Sequence, residues 1–171
     1  HGHDVVFLCR QSAGHLCEYL EGRGFLVRRL AGHLPQENPG ADSASNILSR
    51  ASLADAELDE SLSLVKALGS VDWLVIDHYD IGLKWESAMR EQCRRILVFD
   101  DEANEDHDCD ILLNPAHCPG MEEKYSRLVA ATTKKLLGVD FLLLSNQVQE
   151  VRDVVQARSG VVKKILVFYG M

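Results

Sequence analysis

The sequence lacks an excess of positive charge, a long apolar run and a recognisable leader. Its formal charge is −8 over 171 residues, which argues against a nucleic-acid groove, because such grooves depend on Lys and Arg contacts to phosphates. A nucleotide ligand stays compatible with this charge, since helix N-termini and one or two basic groups can bind a pyrophosphate. No apolar run approaches the roughly 20 residues of a membrane-spanning helix, and no signal peptide is visible. We therefore expect neither a nucleic-acid partner nor a membrane span.

Several catalytic and cofactor motifs are also missing. There is no Gly-x-Gly-x-x-Gly and no P-loop, so dinucleotide and ATP sites of those kinds are not supported. No Ser/His/Asp nucleophile elbow is visible. The five cysteines are odd in number and lack zinc-ligand spacing, which favours reduced thiols in a cytoplasmic protein. The cysteines are Cys9, Cys17, Cys93, Cys109 and Cys118.

What is present is a regular alternation of short apolar runs and amphipathic stretches. Apolar residues make up 46% of the chain, which is typical of a globular domain. Helices are predicted from about Ser12 to Arg23, in one or two segments over Ile47–Leu68, and over Leu83–Cys93, Glu122–Val129 and Glu150–Ala157. Strands are predicted at Val5–Cys9, Phe25–Leu30, Trp73–Ile76, Ile96–Phe99, Asp110–Leu113, Lys135–Leu137 and Lys163–Phe168. The alternation predicts an α/β fold with a doubly wound, mostly parallel sheet.

One stretch, Asp72–Tyr79, combines a strand with three functional side chains. Its four consecutive apolar residues predict a strand buried on both faces. Asp77, His78 and Tyr79 follow where this strand ends. In open α/β sheets, ligands bind beyond the carboxyl ends of the strands. The stretch therefore predicts a polar small-molecule site, although Asp77 as a turn cap, with the other two side chains bonded to backbone, would explain the same pattern.

Other strand ends supply further candidates. Arg10, Asp100 and Asn114 each follow an apolar run, and they would line the same crevice if their strands are neighbours. Aspartates at strand ends also commonly cap turns, so this alternative stays open. His78 is the best candidate for a general base, because an imidazole titrates near neutral pH. The residues alone go no further than an α/β domain with a polar crevice.

The acidic run Glu105–Asp108, which contains His107, is interpreted as a solvated loop. Adjacent loop positions rarely converge on one ion, and no second cluster has zinc spacing. We therefore predict no metal site and no cofactor.

Several ordered motifs resemble the PseG family, the UDP-2,4-diacetamido-2,4,6-trideoxy-β-L-altropyranose hydrolases of pseudaminic acid biosynthesis. That family is related to SpsG-type polysaccharide biosynthesis proteins and to MurG-like glycosyltransferases. The motifs are Val6–Arg10, Asp72–Tyr79, Trp85-Glu86, Phe99–Asp101, His107–Asn114 and Leu136–Gly138. They cover nearly the whole chain.

The resemblance implies one half of a GT-B fold, with a UDP-sugar bound between two Rossmann-like domains. Residues 1–158 would be the N-terminal, sugar-side domain, without its first strand and most of its first helix. Residues 159–171 would be a linker and the first strand of the nucleotide-binding domain. The proposed catalytic histidine of the family then has no counterpart in this sequence, and we expect these residues alone to be inactive.

By position, the resemblance assigns His78 and Tyr79 to the catalytic sugar pocket, and Arg10, Asp77, Asp100 and Asn114 to substrate binding. The implied reaction is inverting attack of water on the anomeric carbon, with release of UDP. A GT-B glycosyltransferase with a UDP-sugar donor, or a non-catalytic domain, would fit the same motifs. The loss of a central strand would leave a sheet edge or gap, which predicts a homo-oligomer or a domain swap.

Overall fold

A computed structural model describes residues 2–11, 13–31, 43–79, 81–116, 119–155, 160–161 and 164–165. The strands are β1 (Val6–Arg10), β2 (Leu26–Leu30), β3 (Val71–Ile76), β4 (Cys93–Phe99), β5 (Ile111–Asn114) and β6 (Lys134–Leu137). The helices are α1 (Cys17–Gly22), α2 (Ser43–Leu68), α3 (Leu83–Met89), α4 (Met121–Leu128) and α5 (Asn146–Val154). A 3₁₀ turn spans Val139–Phe141. The predicted helix cap Ser12, most of the stretch between Leu30 and α2, and nearly all of the predicted last strand lie outside the described residues.

All the described strand pairs are parallel. The strands form a four-stranded sheet in the order β3-β4-β5-β6 and a two-stranded sheet of β1 and β2. Helices connect the strands of most pairs, as parallel pairing requires. The chain is thus an α/β protein with parallel sheets, which confirms the predicted fold class.

The strand β3 corrects one prediction. It lies at the end of the strand order and pairs only with β4 among the described strands. Trp73 and Val75 are 45% and 57% exposed, whereas Ile76 is buried. The expectation of burial on both faces was therefore wrong, because four apolar residues in a row do not reveal whether both faces are covered.

The main core lies between the four-stranded sheet and the helices α3 and α4. Its buried residues are Ile76, Ile96, Val98, Ala103, Cys109, Leu112, Met121 and Tyr125. Met89 is completely buried on α3, and the half-buried Trp85 packs against this core. The core fixes β3, β4 and β5, whose carboxyl ends carry most of the candidate residues.

The described residues divide into two units, one ending at Phe141 and the other beginning at Leu142. The first unit contains both sheets and α1–α4. The second contains α5, whose Ser145 side chain accepts a hydrogen bond from the backbone N–H of Val148. The helix α5 begins at Asn146, four residues before the predicted start, because this serine cap lies upstream of the region chosen from the sequence. Within the part of the chain that the structure describes, no helix has the length and apolarity to cross a membrane.

Candidate functional site

A small cleft opens beyond the carboxyl ends of β3 and β4. The two strands are parallel, with Ile76 opposite Val98, so the segments that follow them emerge at the same edge of the sheet. The cleft is lined by His78, Tyr79, Ile81, Phe99, Asp100, Glu102, Asn104, Glu105 and His107. Its cavity volume of about 20 Å³ is room for about one water molecule.

Three of the predicted site residues, His78, Tyr79 and Asp100, line this cleft together. Tyr79 is 72% exposed, and its hydroxyl lies 3.3 Å from Asp101 Oδ2. The negative charge of Asp101 raises the pKa of Tyr79 above its usual value. Tyr79 therefore presents a protonated phenol at the rim. Asp77 is exposed and is not part of the lining.

Arg10 lies in the other sheet. It ends β1, and its guanidinium binds the carboxylate of Glu57 on α2 through both Nε and Nη2. Such a bidentate pair uses the planar geometry of arginine. The structure therefore places Arg10 in a contact between β1 and α2, and not in the cleft lining.

Asn114 lies on the core side of the same region. It is only 2% exposed, and its side-chain amide donates to the Tyr125 hydroxyl at 2.8 Å. Its Oδ1 accepts from the backbone N–H of Ala116 at 2.9 Å. The Tyr125 hydroxyl in turn donates to the carbonyl oxygen of Asp100 at 2.8 Å. Asn114 and Tyr125 thus hold the backbone beneath the cleft.

Asp100 has two roles at once. Its Oδ1 accepts from the backbone N–H of Glu102 at 2.9 Å, and its carboxylate also accepts from Ala103. Ala103 has a φ of 52°, a left-handed conformation that a non-glycine residue rarely adopts. Asp100 therefore closes the turn after β4, as the alternative prediction of a turn cap expected, and it also forms part of the cleft wall.

Two residues that the sequence reasoning missed are Glu86 and His107. Glu86 has no exposed surface on its side chain. Its Oε1 lies 2.7 Å from His107 Nδ1, and its Oε2 accepts from the backbone N–H of Asp108 at 2.6 Å. On its other side, His107 Nε2 lies 3.4 Å from Asp100 Oδ2.

The prediction of a solvated loop at residues 105–108 was therefore wrong at His107. Only 7% of its side chain is exposed, and its backbone N–H donates to Leu128 O at 2.8 Å. A buried carboxylate compensates the imidazole, which the local acidic composition does not reveal. Two signals in the sequence could have found the pair. The three-residue spacing of Glu86 and Met89 places them on one face of α3, and Glu86 and His107 belong to the motifs Trp85-Glu86 and His107–Asn114.

The charge state of His107 follows from these contacts. Burial acts to lower the pKa of His107, but the hydrogen bond and negative charge of Glu86, together with Asp100, raise it above the usual value. Because the imidazole lies between two carboxylates, its protonated form is favoured.

Arg90 supports the same segment from the end of α3. Its guanidinium binds Asp110 at 2.5 Å and the side chain and carbonyl oxygen of Asp108 at 2.8 Å each. Asp110 Oδ2 also accepts from the backbone N–H of Ile96. Burial acts to raise the pKa of Asp110, but this hydrogen bond and Arg90 lower it below the usual value. These contacts fix the backbone around His107.

The chemistry of the lining is acidic and rich in hydrogen-bonding groups. The described residues of the lining provide three carboxylates, two imidazoles, one phenol and one amide, and none of them is a lysine or an arginine. Carboxylates accept hydrogen bonds from hydroxyl and amide N–H groups. Across the described ranges, no group of three or more His, Cys, Asp or Glu side chains could hold a metal ion. The cleft thus suits a polyhydroxylated or amide-bearing ligand better than a phosphate.

Fold and site together define an α/β protein with an acidic, polar cleft at the carboxyl ends of parallel strands. No protein-family model matches the chain, and no curated protein matches it at a significant level.

Proposed function

We propose that the protein is a nucleotide-sugar hydrolase of surface polysaccharide biosynthesis, and that this cleft binds the sugar of a UDP-sugar. The observation that carries the proposal is a water-sized cavity lined by His78, Asp100 and His107, with the exposed Tyr79 at its rim. The motif resemblance to pseudaminic acid pathway hydrolases supplies the substrate class.

The charges of the lining indicate which part of the substrate binds in the cleft. Among the residues that the structure describes, the cleft lining contains no lysine or arginine, and a diphosphate would be repelled by Asp100, Glu102 and Glu105. The sugar, whose hydroxyl and amide groups are neutral, faces no such repulsion. We therefore place the sugar at the rim by Tyr79 and the diphosphate away from this cleft.

The reaction is inverting attack of water on the anomeric carbon. A new carbon–oxygen bond forms while the bond to UDP breaks, and the electron pair leaves with the diphosphate. UDP is a good leaving group, so the step needs a base for the water proton and no strong general acid. This differs from inverting glycosidases, which use a carboxylic acid and a carboxylate together.

The first prediction concerns the two catalytic candidates in the complete gene product. His78→Asn is expected to lower kcat/KM for UDP release by about 100-fold, the scale of a lost proton-transfer group. Tyr79→Phe is expected to lower it by about tenfold, because one hydrogen bond to the sugar is lost. Coupled detection of released UDP measures both.

Tyr19→Phe is the matched control, because Tyr19 is a 59% exposed tyrosine of α1 whose hydroxyl contacts Arg23. Unchanged kcat/KM in both cleft variants would remove His78 and Tyr79 from the site. Release of UDP only when a sugar or lipid acceptor is added would identify a glycosyltransferase instead.

A further inference from the structure

The carboxylate of Glu86 is buried, and burying its negative charge costs free energy. Removing a carboxylate from water costs several kcal/mol unless charge and hydrogen bonds compensate it. Both oxygens of Glu86 are used, one by the ring of His107 and one by the backbone N–H of Asp108. A neutral amide oxygen could also accept the backbone hydrogen bond, although more weakly than a carboxylate. The other oxygen, Oε1, lies 2.7 Å from His107 Nδ1, so the negative charge acts directly on the imidazole.

The geometry fixes the direction of the imidazole. Because Nδ1 is held by Glu86, Nε2 is directed to the opposite side, where Asp100 Oδ2 lies at 3.4 Å. A carboxylate that binds one nitrogen of a histidine sets its tautomer and its orientation. The side chains of His107 and Asp100 are only 7% and 10% exposed, so water screens this pair weakly.

We propose that Glu86 and His107 are positioning residues for Asp100: the protonated imidazole, fixed by Glu86, holds the Asp100 carboxylate at the cleft wall so that it orients the attacking water. The inference rests on the proposed hydrolase function and explains how the position of Asp100 in that site is fixed. Neither Glu86 nor His107 needs to touch the sugar.

The surroundings of His107 support a charged imidazole. Glu86 from α3 and Asp100 from the segment after β4 contact the imidazole. The other ionisable groups that share the cleft lining with His107 are Glu102, Glu105, His78 and Tyr79. Four of these six groups are carboxylates. The neighbouring cation Arg90 is bound to Asp108 and Asp110. The raised pKa of His107 agrees with this excess of negative charge.

Loss of the His107 proton has a definite consequence. The lone pair of Nε2 would then face the Asp100 carboxylate, and the attraction that holds Asp100 would disappear. Hydrolysis is therefore expected to decrease at alkaline pH as His107 deprotonates. Removing the charge of Glu86 weakens the hold on the proton and moves this decrease to lower pH.

The experiment compares Glu86→Gln with the wild type in the complete gene product. We expect the alkaline limb of kcat/KM for UDP release to shift down by about one pH unit. In parallel, NMR titration of the histidine side chains follows His107, which is assigned by its absence in His107→Gln. Its midpoint is expected to decrease in Glu86→Gln and also in Asp100→Asn. Glu123→Gln is the control, because Glu123 is an exposed carboxylate of α4 paired with Arg127.

The two readouts separate the two proposals. If the wild type releases no UDP, the proposed function fails, while the NMR titration still decides whether Glu86 and Asp100 act on His107. An alkaline limb that stays fixed in Glu86→Gln overturns the positioning role, even if the variant is less stable. If Glu86→Gln does not fold, His107→Gln decides instead: a loss of kcat with KM unchanged supports positioning, and wild-type kcat excludes it.

Discussion

The hydroxyl of Tyr125 joins the core to the turn that carries Asp100. It is completely buried, donates to the carbonyl oxygen of Asp100 and accepts from the amide of Asn114. Burial raises the pKa of Tyr125 well above its usual value, so the hydroxyl stays protonated at working pH and continues to donate.

The prediction that follows is a loss of stability in Tyr125→Phe. The change removes one hydrogen-bond partner from the Asp100 carbonyl and one from the Asn114 amide, both in the protein interior. We expect the free energy of unfolding to decrease by about 1–3 kcal/mol. Urea denaturation measures this loss, and Tyr19→Phe, at an exposed position, is expected to change little. Equal stability of the two variants would show that water replaces the hydroxyl.

The residue scale also shows where sequence reasoning succeeds and where it stops. His78, Tyr79 and Asp100 could be predicted, because each follows an apolar run whose end marks the edge of a parallel sheet. Glu86 and His107 could not be paired in this way, since they are 21 positions apart and only the packing of α3 against the segment after β4 brings them together. The residues next to His107 in the sequence are acidic, and such a composition is typical of a solvent-exposed loop.

At the scale of elements, β3 has two unlike faces. Val75 is 57% exposed and its neighbour Ile76 is 4% exposed, because successive side chains of a strand point to opposite faces. From the sequence alone, both residues belong to one apolar run. Their difference depends on which helices cover the sheet, and that is set by tertiary packing.

This difference gives a paired prediction for β3. Val75→Lys is expected to change the free energy of unfolding by no more than about 0.5 kcal/mol, as at other exposed positions. Ile76→Ala is expected to cost about 2–5 kcal/mol, because it removes buried methyl groups and leaves a cavity. Urea denaturation of both variants checks this. A large loss in Val75→Lys would contradict the exposed face of β3.

Helix boundaries show a similar limit. The helix α2 forms one continuous element over Ser43–Leu68, where the sequence left open one helix or two. The helix α1 begins at Cys17, preceded by Leu16 with no side-chain cap, several residues after the predicted start. Periodicity identified both helices, whereas their ends depend on caps and contacts that periodicity does not contain.

At the scale of the whole molecule, the fold class followed from the alternation of strands and helices. The grouping of the strands into a sheet of four and a sheet of two could not be predicted from this alternation. Strand pairing joins segments far apart in the chain, such as Val71 with Cys93, and no local pattern records which edges meet. The structure divides between Phe141 and Leu142. The domain boundary near residue 158, which the resemblance implies, stays a prediction.

The raised pKa of His107 predicts a pH dependence of stability. A histidine whose pKa is higher in the folded state binds its proton more tightly there. Its stabilising contribution is complete below the unfolded pKa of about 6.5, and it is lost as the pH rises through the folded value. Urea midpoints from pH 6 upward are expected to decrease over this range.

Glu86→Gln is expected to flatten this dependence, because the main group that retains the proton loses its charge. Glu123→Gln, on the exposed face of α4, is expected to keep the wild-type slope. An identical slope in Glu86→Gln and the wild type would assign the effect to other groups.

The end position of β3 has a consequence for solvent access to its backbone. In a parallel strand, successive amides point to alternate sides, and those directed toward β4 are bonded across the ladder. The amides between them face a side on which no described strand pairs. Deuterium exchange is therefore expected to divide this one strand into two interleaved sets of amides, slow ones bonded to β4 and faster ones on the side where no described strand pairs.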